Sequence, residues 1–323
     1  MRVLLTGASG FIGAHTARAL SEAGHAVRAL VRPTSDRSGL TDLPVEYAVG
    51  DLIGAGLTTA CGGMDAVVHL AGLTRARSEA HFMRVNGEGT ALLAEAAANA
   101  DVRRFVYVSS IAAHGPADHG QPRDPAEPAR PVSPYGRSKA AGETAALART
   151  GQMAVQVLRP PLVYGPRDNA LLPFFRMARW RIVPVMGRGE NRLSLIHARD
   201  LAESIQALLE SEPVPAACFH VAGPGKPQSW RELVEALGRA LERSVNVLPI
   251  PAAGFVGAAL MAEAGARLSK GPPILDRGKV TEMRQRWICD HVALTAATGW
   301  EPRCDLDPGL RETAAWYRAR GWL

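Results

Sequence analysis

The chain has 323 residues, enough for one large α/β unit or two lobes and too few for three ordinary domains. Apolar residues make up 47% of the sequence and charged residues 21%, a balance that excludes a chain disordered along most of its length. The net charge is +6, but the basic residues are spread along the chain without a recognition motif, so we expect no nucleic-acid partner.

The four cysteines lie far apart and form no CxxC pair, so the sequence predicts no metal site and no disulfide framework. The longest uncharged apolar stretch, residues 252–262, is much shorter than a membrane span, and we expect none. The N-terminus lacks the apolar region of a secretory signal. These features lead us to expect a cytoplasmic protein.

Apolar runs of strand length alternate with helical patterns in the first half of the chain. We predict strands at residues 2–5, 27–31, 45–49, 66–70, 105–108 and 155–158, with helices at 11–23, 79–99 and 134–149. Such alternation is typical of an α/β fold with a Rossmann-type, doubly wound parallel sheet. Residues 1–165 are therefore predicted to form a dinucleotide-binding domain.

The second half is less regular. Six prolines in residues 112–134 indicate a surface loop, and beyond residue 165 we predict helices at 199–211, 229–242, 252–268 and 307–319. Residues 166–323 are expected to build mainly a smaller C-terminal substrate lobe, with segments near 192–220 returning to the Rossmann core.

A TGxxGxxG pattern begins at Thr6, directly after the first predicted strand. Glycine lets the backbone turn sharply and approach a pyrophosphate, and the amides at the start of the next helix favour the anion. The alternative is an ordinary glycine-rich turn. The residues of this turn predicted to bind a dinucleotide are Gly7, Ser9, Gly10, Phe11, Ile12 and Gly13.

The end of the second predicted strand bears on the choice of cofactor. NAD enzymes usually place an acid there to hold the adenosine ribose, whereas this chain has Val31 followed by Arg32. A cation suits a 2′-phosphate, so NADP(H) is favoured and NAD(H) remains possible. In the alternative, Arg32 is solvated or stacks on adenine and Asp36 contacts the ribose. Asp51 is predicted either to accept a hydrogen bond from the adenine amino group or to cap a helix.

The pair Tyr135 and Lys139 has YxxxK spacing, for which chance predicts about 0.06 occurrences in this composition. Residues i and i+4 share a helix face, so the ammonium can lie near the phenol and favour its ionised form. Such a phenol can exchange a proton with a carbinol or carbonyl oxygen. The alternative is a surface pair without a catalytic role.

Together the motifs resemble the extended short-chain dehydrogenase/reductase superfamily, in its NAD-dependent epimerase/dehydratase branch. The segments that carry the resemblance are residues 6–13, 50–52, 69–72, 85–90, 108–110, 135–139, 159–166, 196–202 and 299–302. The resemblance implies that Ser110 orients the substrate oxygen, that Lys139 also holds the nicotinamide ribose, and that Tyr135 is the acid/base. It further implies a set of cofactor-binding residues comprising Leu52, Leu70, Ala71, Gly72, Asn86, Pro160 and Val163.

Three positions depart from the family pattern and weaken the case for a nucleotide-sugar substrate. Val31 replaces the usual acid, His114 stands where many sugar-nucleotide enzymes have tyrosine, and Arg192 falls one residue short of a pyrophosphate-binding arginine. His197 is expected to be a structural histidine. Residues 32–36 resemble the hopanoid-associated branch, and residues 248–261 resemble hydroxysteroid-dehydrogenase-like and dihydroflavonol-reductase-like members.

These observations predict an NAD(P)-dependent oxidoreductase that moves a hydride between nicotinamide and a ketone or secondary alcohol. The alternatives are a nucleotide-sugar epimerase or dehydratase, and a non-catalytic dinucleotide sensor. The apolar segment near residues 248–261 favours an apolar small-molecule substrate, and a homodimer is possible. Against this, five arginines could clamp a diphosphate: Arg176, Arg179, Arg181, Arg188 and Arg192.

Overall fold

The computed structural model describes residues 1–118, 120–266, 271–273 and 275–323. The strands are β1 (Arg2–Thr6), β2 (Ala26–Val31), β3 (Val45–Val49), β4 (Ala66–His69), β5 (Arg104–Val108), β6 (Ala154–Arg159), β7 (Leu162–Tyr164), β8 (Ile182–Met186), β9 (Arg192–Leu193), β10 (Leu195–His197), β11 (Ala216–His220), β12 (Gln228–Ser229) and β13 (Asn246–Ile250).

The helices are α1 (Phe11–Glu22), α2 (Leu57–Cys61), α3 (Glu79–Phe82), α4 (Gly89–Asn99), α5 (Ile111–His114), α6 (Pro134–Leu147), α7 (Leu172–Arg179), α8 (Ala198–Glu210), α9 (Trp230–Ala240), α10 (Ala252–Ala266), α11 (Arg277–Met283), α12 (Val292–Thr298) and α13 (Leu306–Ala319). A π-helical segment, Met83–Glu88, joins α3 to α4.

Within the described residues, the central sheet has seven parallel strands in the order β11-β6-β5-β4-β1-β2-β3. This confirms the predicted α/β fold with its doubly wound parallel sheet. The strand order reverses between β1 and β4, and ligands of such sheets bind in the crevice beyond the carboxyl ends at that point. The six predicted strands all occur, while β11 was not predicted.

The sheet is covered on both faces, which explains its nearly continuous apolar strands. Val3 and Leu5 of β1 face the side of α1 and α8, where they join a buried cluster with Leu201. Leu4 faces the other side and packs in the cluster that includes Leu93 of α4 and Ala146 of α6. Every residue of β4 is buried.

A smaller lobe packs around a second core beyond the sheet. Its buried cluster joins Phe175 of α7, Leu237 of α9 and Tyr317 of α13. The paired strands β8 and β13 run parallel along one side of this core. Helices α7 and α11 and the strands β8 and β13 were not predicted, because proline and half-exposed residues interrupt their patterns.

Two predictions about local structure need correction. The predicted helix 79–99 is broken by the π-helical segment, in which buried Asn86 directs its side chain towards neighbouring elements. The predicted surface loop 112–134 begins inside α5, and its Arg123 is buried because the guanidinium donates to the carbonyls of His114 and Pro128. For the predicted helix 252–268, residues 267 and 268 lie outside the described residues.

Candidate active site

Six parallel strands end at one edge of the sheet, so residues distant in the sequence lie near each other there. The predicted site residues that follow β1 to β6 in turn are Gly7, Arg32, Asp51, Ala71, Ser110 and Pro160. The fold thus brings the glycine turn, the β4 end and the YxxxK helix α6 to the same edge.

The turn between β1 and α1 leaves no room for side chains at its glycines. Gly7 has φ +71°, and a Cβ there would lie 2.7 Å from the Ala71 nitrogen. A Cβ at Gly13 would lie 2.0 Å from the Gly7 carbonyl oxygen. Gly10 caps α1 and offers no side-chain acceptor to its first amides. The turn therefore presents a helix N-terminus suited to a pyrophosphate.

Asn86 fixes the backbone that follows β4. Its side-chain oxygen accepts from the Leu73 amide at 2.7 Å, and its Nδ2 donates to the Leu73 carbonyl and to the Ser138 hydroxyl, each at 2.9 Å. Ser138 belongs to α6, so this amide joins the Ala71 and Gly72 region to the helix that carries Tyr135.

A buried chain of hydrogen bonds supports this connection, and our sequence analysis assigned it no role. Thr90 donates to the Asn86 carbonyl at 2.6 Å and so can accept from His69 Nε2 at 3.0 Å. His69 Nδ1 then accepts from the Thr6 hydroxyl at 2.7 Å, and Thr6 accepts from the Ala71 amide. Complete burial lowers the pKa of His69 well below its usual value, so the ring stays neutral. The one signal in the sequence was the position of His69 in the 69–72 motif.

Ser110 follows the carboxyl end of β5, and Tyr135 and Lys139 lie in the first turns of α6, which pack beside it. Ser110 caps α5, where its hydroxyl accepts from the Ala112 amide at 3.1 Å, and the same side chain lies near enough to Tyr135 to affect the pKa of the phenol. Lys139 is buried and its Nζ donates to the Val108 carbonyl at 2.9 Å, while lying 4.3 Å from the centre of the Tyr107 ring.

The protonation of Tyr135 differs from the expectation that Lys139 would favour the phenolate. Burial raises the pKa of Tyr135 to about 12, the nearby Ser110 hydroxyl opposes this rise, and the charge of Glu282 adds to it. Burial lowers the pKa of Lys139 to about 7, against the charge of Glu143. The Lys139 ammonium donates to the Val108 carbonyl, and the phenol, with its raised pKa, is protonated at neutral pH.

Glu282 is a second feature that our sequence analysis did not identify. It comes from α11 of the small lobe, is only 8% exposed, and accepts from the hydroxyl of Ser133 at 2.5 Å. Ser133 caps α6 by accepting from the Gly136 amide at 3.0 Å. Lys279 pairs with the other Glu282 oxygen at 3.0 Å. The small lobe is thereby fastened to the first turn of the helix that carries Tyr135.

The loop after β2 leaves Arg32 exposed, with its amide donating to Ser35. Asp36 closes a local turn by accepting from the amide and hydroxyl of Ser38, and these bonds lower its pKa. Asp51 is exposed beyond β3, whereas Leu52 is buried against Gly89. The Arg32 side chain therefore has open access to a group bound at this corner of the edge.

His114 and His220 form a buried pair beside α5. His220 Nε2 lies 3.1 Å from His114 Nδ1, and His114 Nε2 lies 3.0 Å from the Glu127 carbonyl oxygen. Burial lowers the pKa of His114 to about 4 and that of His220 to about 3. His197 is also buried and accepts from the Arg199 amide. These neutral rings pack within the fold.

The family model for the NAD dependent epimerase/dehydratase family matches residues 3–222. The chain belongs to this family. It is an enzyme of the extended short-chain dehydrogenase/reductase superfamily, as the motifs predicted.

Curated relatives of this epimerase/dehydratase family member span nearly its full length. It is 32% identical over 324 residues to a ceramide reductase of Caulobacter vibrioides, with 99% of this chain and 96% of the relative covered. It is 30% identical over 350 residues to a dTDP-glucose 4,6-dehydratase of Streptomyces niveus, with 100% and 94% covered.

A solved structure of similar fold is the dTDP-glucose 4,6-dehydratase DesIV of Streptomyces venezuelae, which contains NAD. Its TM-score is 0.81 at 27% identity, and the match covers 100% of this chain and 98% of DesIV. The glycine turn fits the pyrophosphate of such a dinucleotide, because side chains are excluded at Gly7 and Gly13 and the α1 amides are free of a side-chain cap. Among the described residues, no group of three potential metal ligands occurs.

The five arginines considered as a diphosphate clamp do not converge. Arg176 donates to the Trp322 carbonyl, and Arg192 donates to the Pro227 carbonyl. Arg179 and Arg181 flank Trp180 at the start of β8. Arg188 lies instead beside a cavity of about 260 Å³ lined by Met186, Gly187, Arg188, Glu190, Asn191, Ala252 and Arg284.

Proposed function

We propose that this enzyme reduces the ketone of a largely apolar substrate with a nicotinamide cofactor, and oxidises the corresponding secondary alcohol in reverse. The observation that carries the proposal is that Ser110, at the end of β5, lies beside the first turns of α6, which hold Tyr135 and the buried Lys139, at the same sheet edge as the glycine turn. Cofactor and catalytic roles for the predicted site residues are part of this proposal.

Each residue has a defined task in this reaction. A nicotinamide cofactor, when bound, would supply the hydride for the new C–H bond at the carbonyl carbon. Tyr135 donates its phenolic proton to the carbonyl oxygen as negative charge develops there, and the Ser110 hydroxyl donates a hydrogen bond to the same oxygen. The Tyr135 phenolate is then reprotonated from solvent, and the products are the alcohol and the oxidised cofactor. Lys139 supplies a cation near the cofactor ribose.

An apolar substrate is supported by the composition of the small lobe. Helix α10 contains one charged residue, Glu263, and leaves Leu260 and Met261 48% and 72% exposed. The dispersed arginines give no pyrophosphate clamp of the kind considered above. The relative from Caulobacter vibrioides is named a ceramide reductase, which agrees with an apolar ketone.

A nucleotide-sugar epimerase or dehydratase is the second candidate, favoured by one observation. Arg188, Asn191 and Arg284 line the same cavity and could bind an anion. Glu190 also lines it and would oppose an anion. Several relatives act on dTDP-glucose or UDP-glucose according to their names.

We further infer that NADP(H) binds more tightly than NAD(H), because Arg32 is exposed and no acid ends β2. A homodimer and a cytoplasmic location remain predictions from the sequence. Light scattering of the purified chain would establish the oligomeric state.

The reaction is tested by incubating the enzyme with NADPH and long-chain ketones while following both cofactor absorbance and product. Stoichiometric loss of the reduced nicotinamide with alcohol formation is expected. Conversion of UDP-glucose or dTDP-glucose without net change in cofactor would replace this proposal with the epimerase or dehydratase. Cofactor binding without product from either the ketones or the nucleotide sugars would favour the non-catalytic sensor.

A further inference from the structure

The small lobe presents an apolar surface, formed by β8, β13 and α10, that is wider than a substrate site and faces solvent. Strands β8 and β13 pair in register, with Pro184 opposite Leu248 and Met186 opposite Ile250. Side chains alternate along each strand. Val183 and Val185 of β8 are buried in the lobe core. The other residues of β8, together with the β13 residues paired with them, therefore form an outer face. We call the paired strands β8 and β13 the ribbon.

This outer face is almost entirely apolar although it meets solvent. Ile182 is 51% exposed and Leu248 is 48% exposed. Asn246 is the one polar side chain among the six residues, which are Ile182, Pro184, Met186, Asn246, Leu248 and Ile250. A water-facing ribbon normally carries alternating polar residues, so this pattern indicates contact with another apolar medium.

Helix α10 extends the apolar surface from the end of the ribbon. A Cβ at Gly254 would lie 2.8 Å from Ile250 Cγ2, so the first turn of α10 rests on the last residue of β13. Met261 is 72% exposed on the solvent side. The charged residue of α10, Glu263, pairs with Arg277 of α11 at 3.1 Å. The exposed side of the helix is therefore left without charge.

Cations and a tryptophan border this surface. Trp180, at the start of the ribbon, is 76% exposed between Arg179 and Arg181, and Arg243 reaches across to the Arg179 carbonyl. Arg188 and Arg284 lie at the opposite end, beside Met186 and Ala252. Within the described part of the chain, these five arginines make no ion pair with a carboxylate. Glu190 is the acid that lines the cavity at that end.

We propose that the apolar lobe surface, defined as Trp180, the outer face of β8 and β13, and the exposed side of α10, docks on an anionic lipid bilayer. Exposed tryptophan suits the boundary between headgroups and acyl chains, unpaired arginines suit anionic headgroups, and the apolar residues between them suit the acyl region. Since the described helices include none that could span a bilayer, the association would be peripheral.

The apolar lobe surface is connected to the candidate active site through α11. Helix α11, which packs on α10, carries the Glu282 that holds Ser133 at the start of the Tyr135 helix. A docked enzyme would therefore have its small lobe, and the first turn of α6 to which that lobe is joined, close to the bilayer. If the proposed function is correct, an apolar ketone could enter from the membrane without crossing water. The docking itself does not depend on that reaction.

Vesicle sedimentation tests the proposal without any measurement of activity. The full chain should sediment with vesicles of equal parts phosphatidylcholine and phosphatidylglycerol, less with phosphatidylcholine alone, and less at high salt. The double variant Trp180→Ser with Met261→Ser should bind the anionic vesicles at least about tenfold more weakly. A second variant, Arg179→Gln with Arg181→Gln, should lose binding to a similar extent while keeping the apolar residues.

The matched control is Val292→Ser, which removes a side chain that is 68% exposed on α12. It should bind vesicles like the unaltered chain, and thermal unfolding should verify that all variants fold. Failure of the unaltered chain to bind, or binding by both double variants as tight as that of the unaltered chain, would overturn the proposal. If the double variants instead convert a dimer into monomers and vesicles bind none of the proteins, the surface is an interface between two copies.

Discussion

Ser133 and Glu282 are 149 residues apart in the chain, yet the Ser133 hydroxyl donates to the Glu282 carboxylate at 2.5 Å. The same hydroxyl accepts from the Gly136 amide at the start of α6. One serine therefore caps the helix that carries Tyr135 and joins that helix to the small lobe. The position of the lobe and the environment of the phenol are coupled through this contact.

Glu282→Gln tests the coupling. The carboxylate raises the pKa of Tyr135, so its neutralisation should lower that pKa. Ketone reduction needs the protonated phenol and falls as pH rises through its pKa, so the decline should begin at lower pH in the variant. Weaker bonding to Ser133 and Lys279 should also cost about 1 kcal/mol of unfolding free energy. The measurement is kcat/KM against pH beside urea unfolding.

Glu312→Gln is the control for that experiment, because Glu312 forms an exposed ion pair with Arg199. It should leave the pH profile unchanged. A stability loss in Glu282→Gln without any movement of the alkaline decline would show that Glu282 supports the fold and does not tune Tyr135.

Tyr135→Phe removes only the phenolic oxygen. Turnover should fall by at least about 10²-fold, the usual scale of lost general acid catalysis, whereas cofactor binding and the unfolding midpoint should change little. Stopped assays of product and a cofactor titration on the same preparation measure both quantities. Near-normal turnover in this variant would contradict the proposed role of Tyr135.

Lys139 should make cofactor binding depend on pH. Burial lowers its pKa to about 7 in the unliganded protein, so the cation that favours the dinucleotide is lost as pH rises through that value. NADH should bind more tightly at about pH 6 than at about pH 8, and Lys139→Met should weaken binding by at least about tenfold and remove this trend. NADH is the suitable probe because the 2′-phosphate of NADPH itself titrates near pH 6.

Lys226→Met is the control for charge alone, because Lys226 is exposed on the loop between β11 and β12. It should retain the pH dependence of the unaltered enzyme. Equal pH dependence in Lys139→Met would assign the effect to another titrating group.

Arg32→Ala tests the cofactor preference. Loss of a charge-assisted contact should weaken NADPH binding by about ten- to a hundredfold and leave NADH binding nearly unchanged. Arg103→Ala is the matched control, since Arg103 pairs with Asp65 at the opposite edge of the sheet. Equal weakening of both cofactors in Arg32→Ala, or tighter binding of NADH by the unaltered enzyme, would argue against a 2′-phosphate site.

The buried histidines should make the fold sensitive to acid. The pKa of His114 is lowered to about 4 and that of His220 to about 3 by burial, so between these values and about 6.5 the unfolded chain binds more protons. The unfolding free energy should therefore fall as pH decreases below about 6.5, by several kcal/mol for this pair at about pH 5. Burial raises the pKa of Asp168 to about 6, which opposes the trend.

Urea unfolding at several pH values measures this slope. His220→Gln should flatten it whatever the variant does to stability at neutral pH, and His81→Gln, at an exposed position, should not. An unchanged slope in His220→Gln would assign the acid sensitivity to the other buried histidines.

Local patterns in the sequence determined the order of strands and helices in the sheet and the two motifs at its edge. The six predicted strands alternate with helices because buried parallel strands are continuous apolar runs and their covering helices are amphipathic. The glycine turn and the YxxxK pair are local features, fixed by backbone sterics and by the spacing of a helix face. The ribbon escaped prediction because Pro184 and Pro249 resemble strand breakers, although proline is tolerated in strands at an edge.

Tertiary structure alone decided the contacts that link distant segments. The five arginines within residues 176–192 form a cluster in sequence, but α7 and β8 carry them to separate places. Lys139 follows Tyr135 by one helical turn, yet packing directs its ammonium to the Val108 carbonyl, so burial controls the phenol. Side-chain direction and burial depend on which elements pack together, and for that reason a local pattern could place these residues at the site without fixing their charge states.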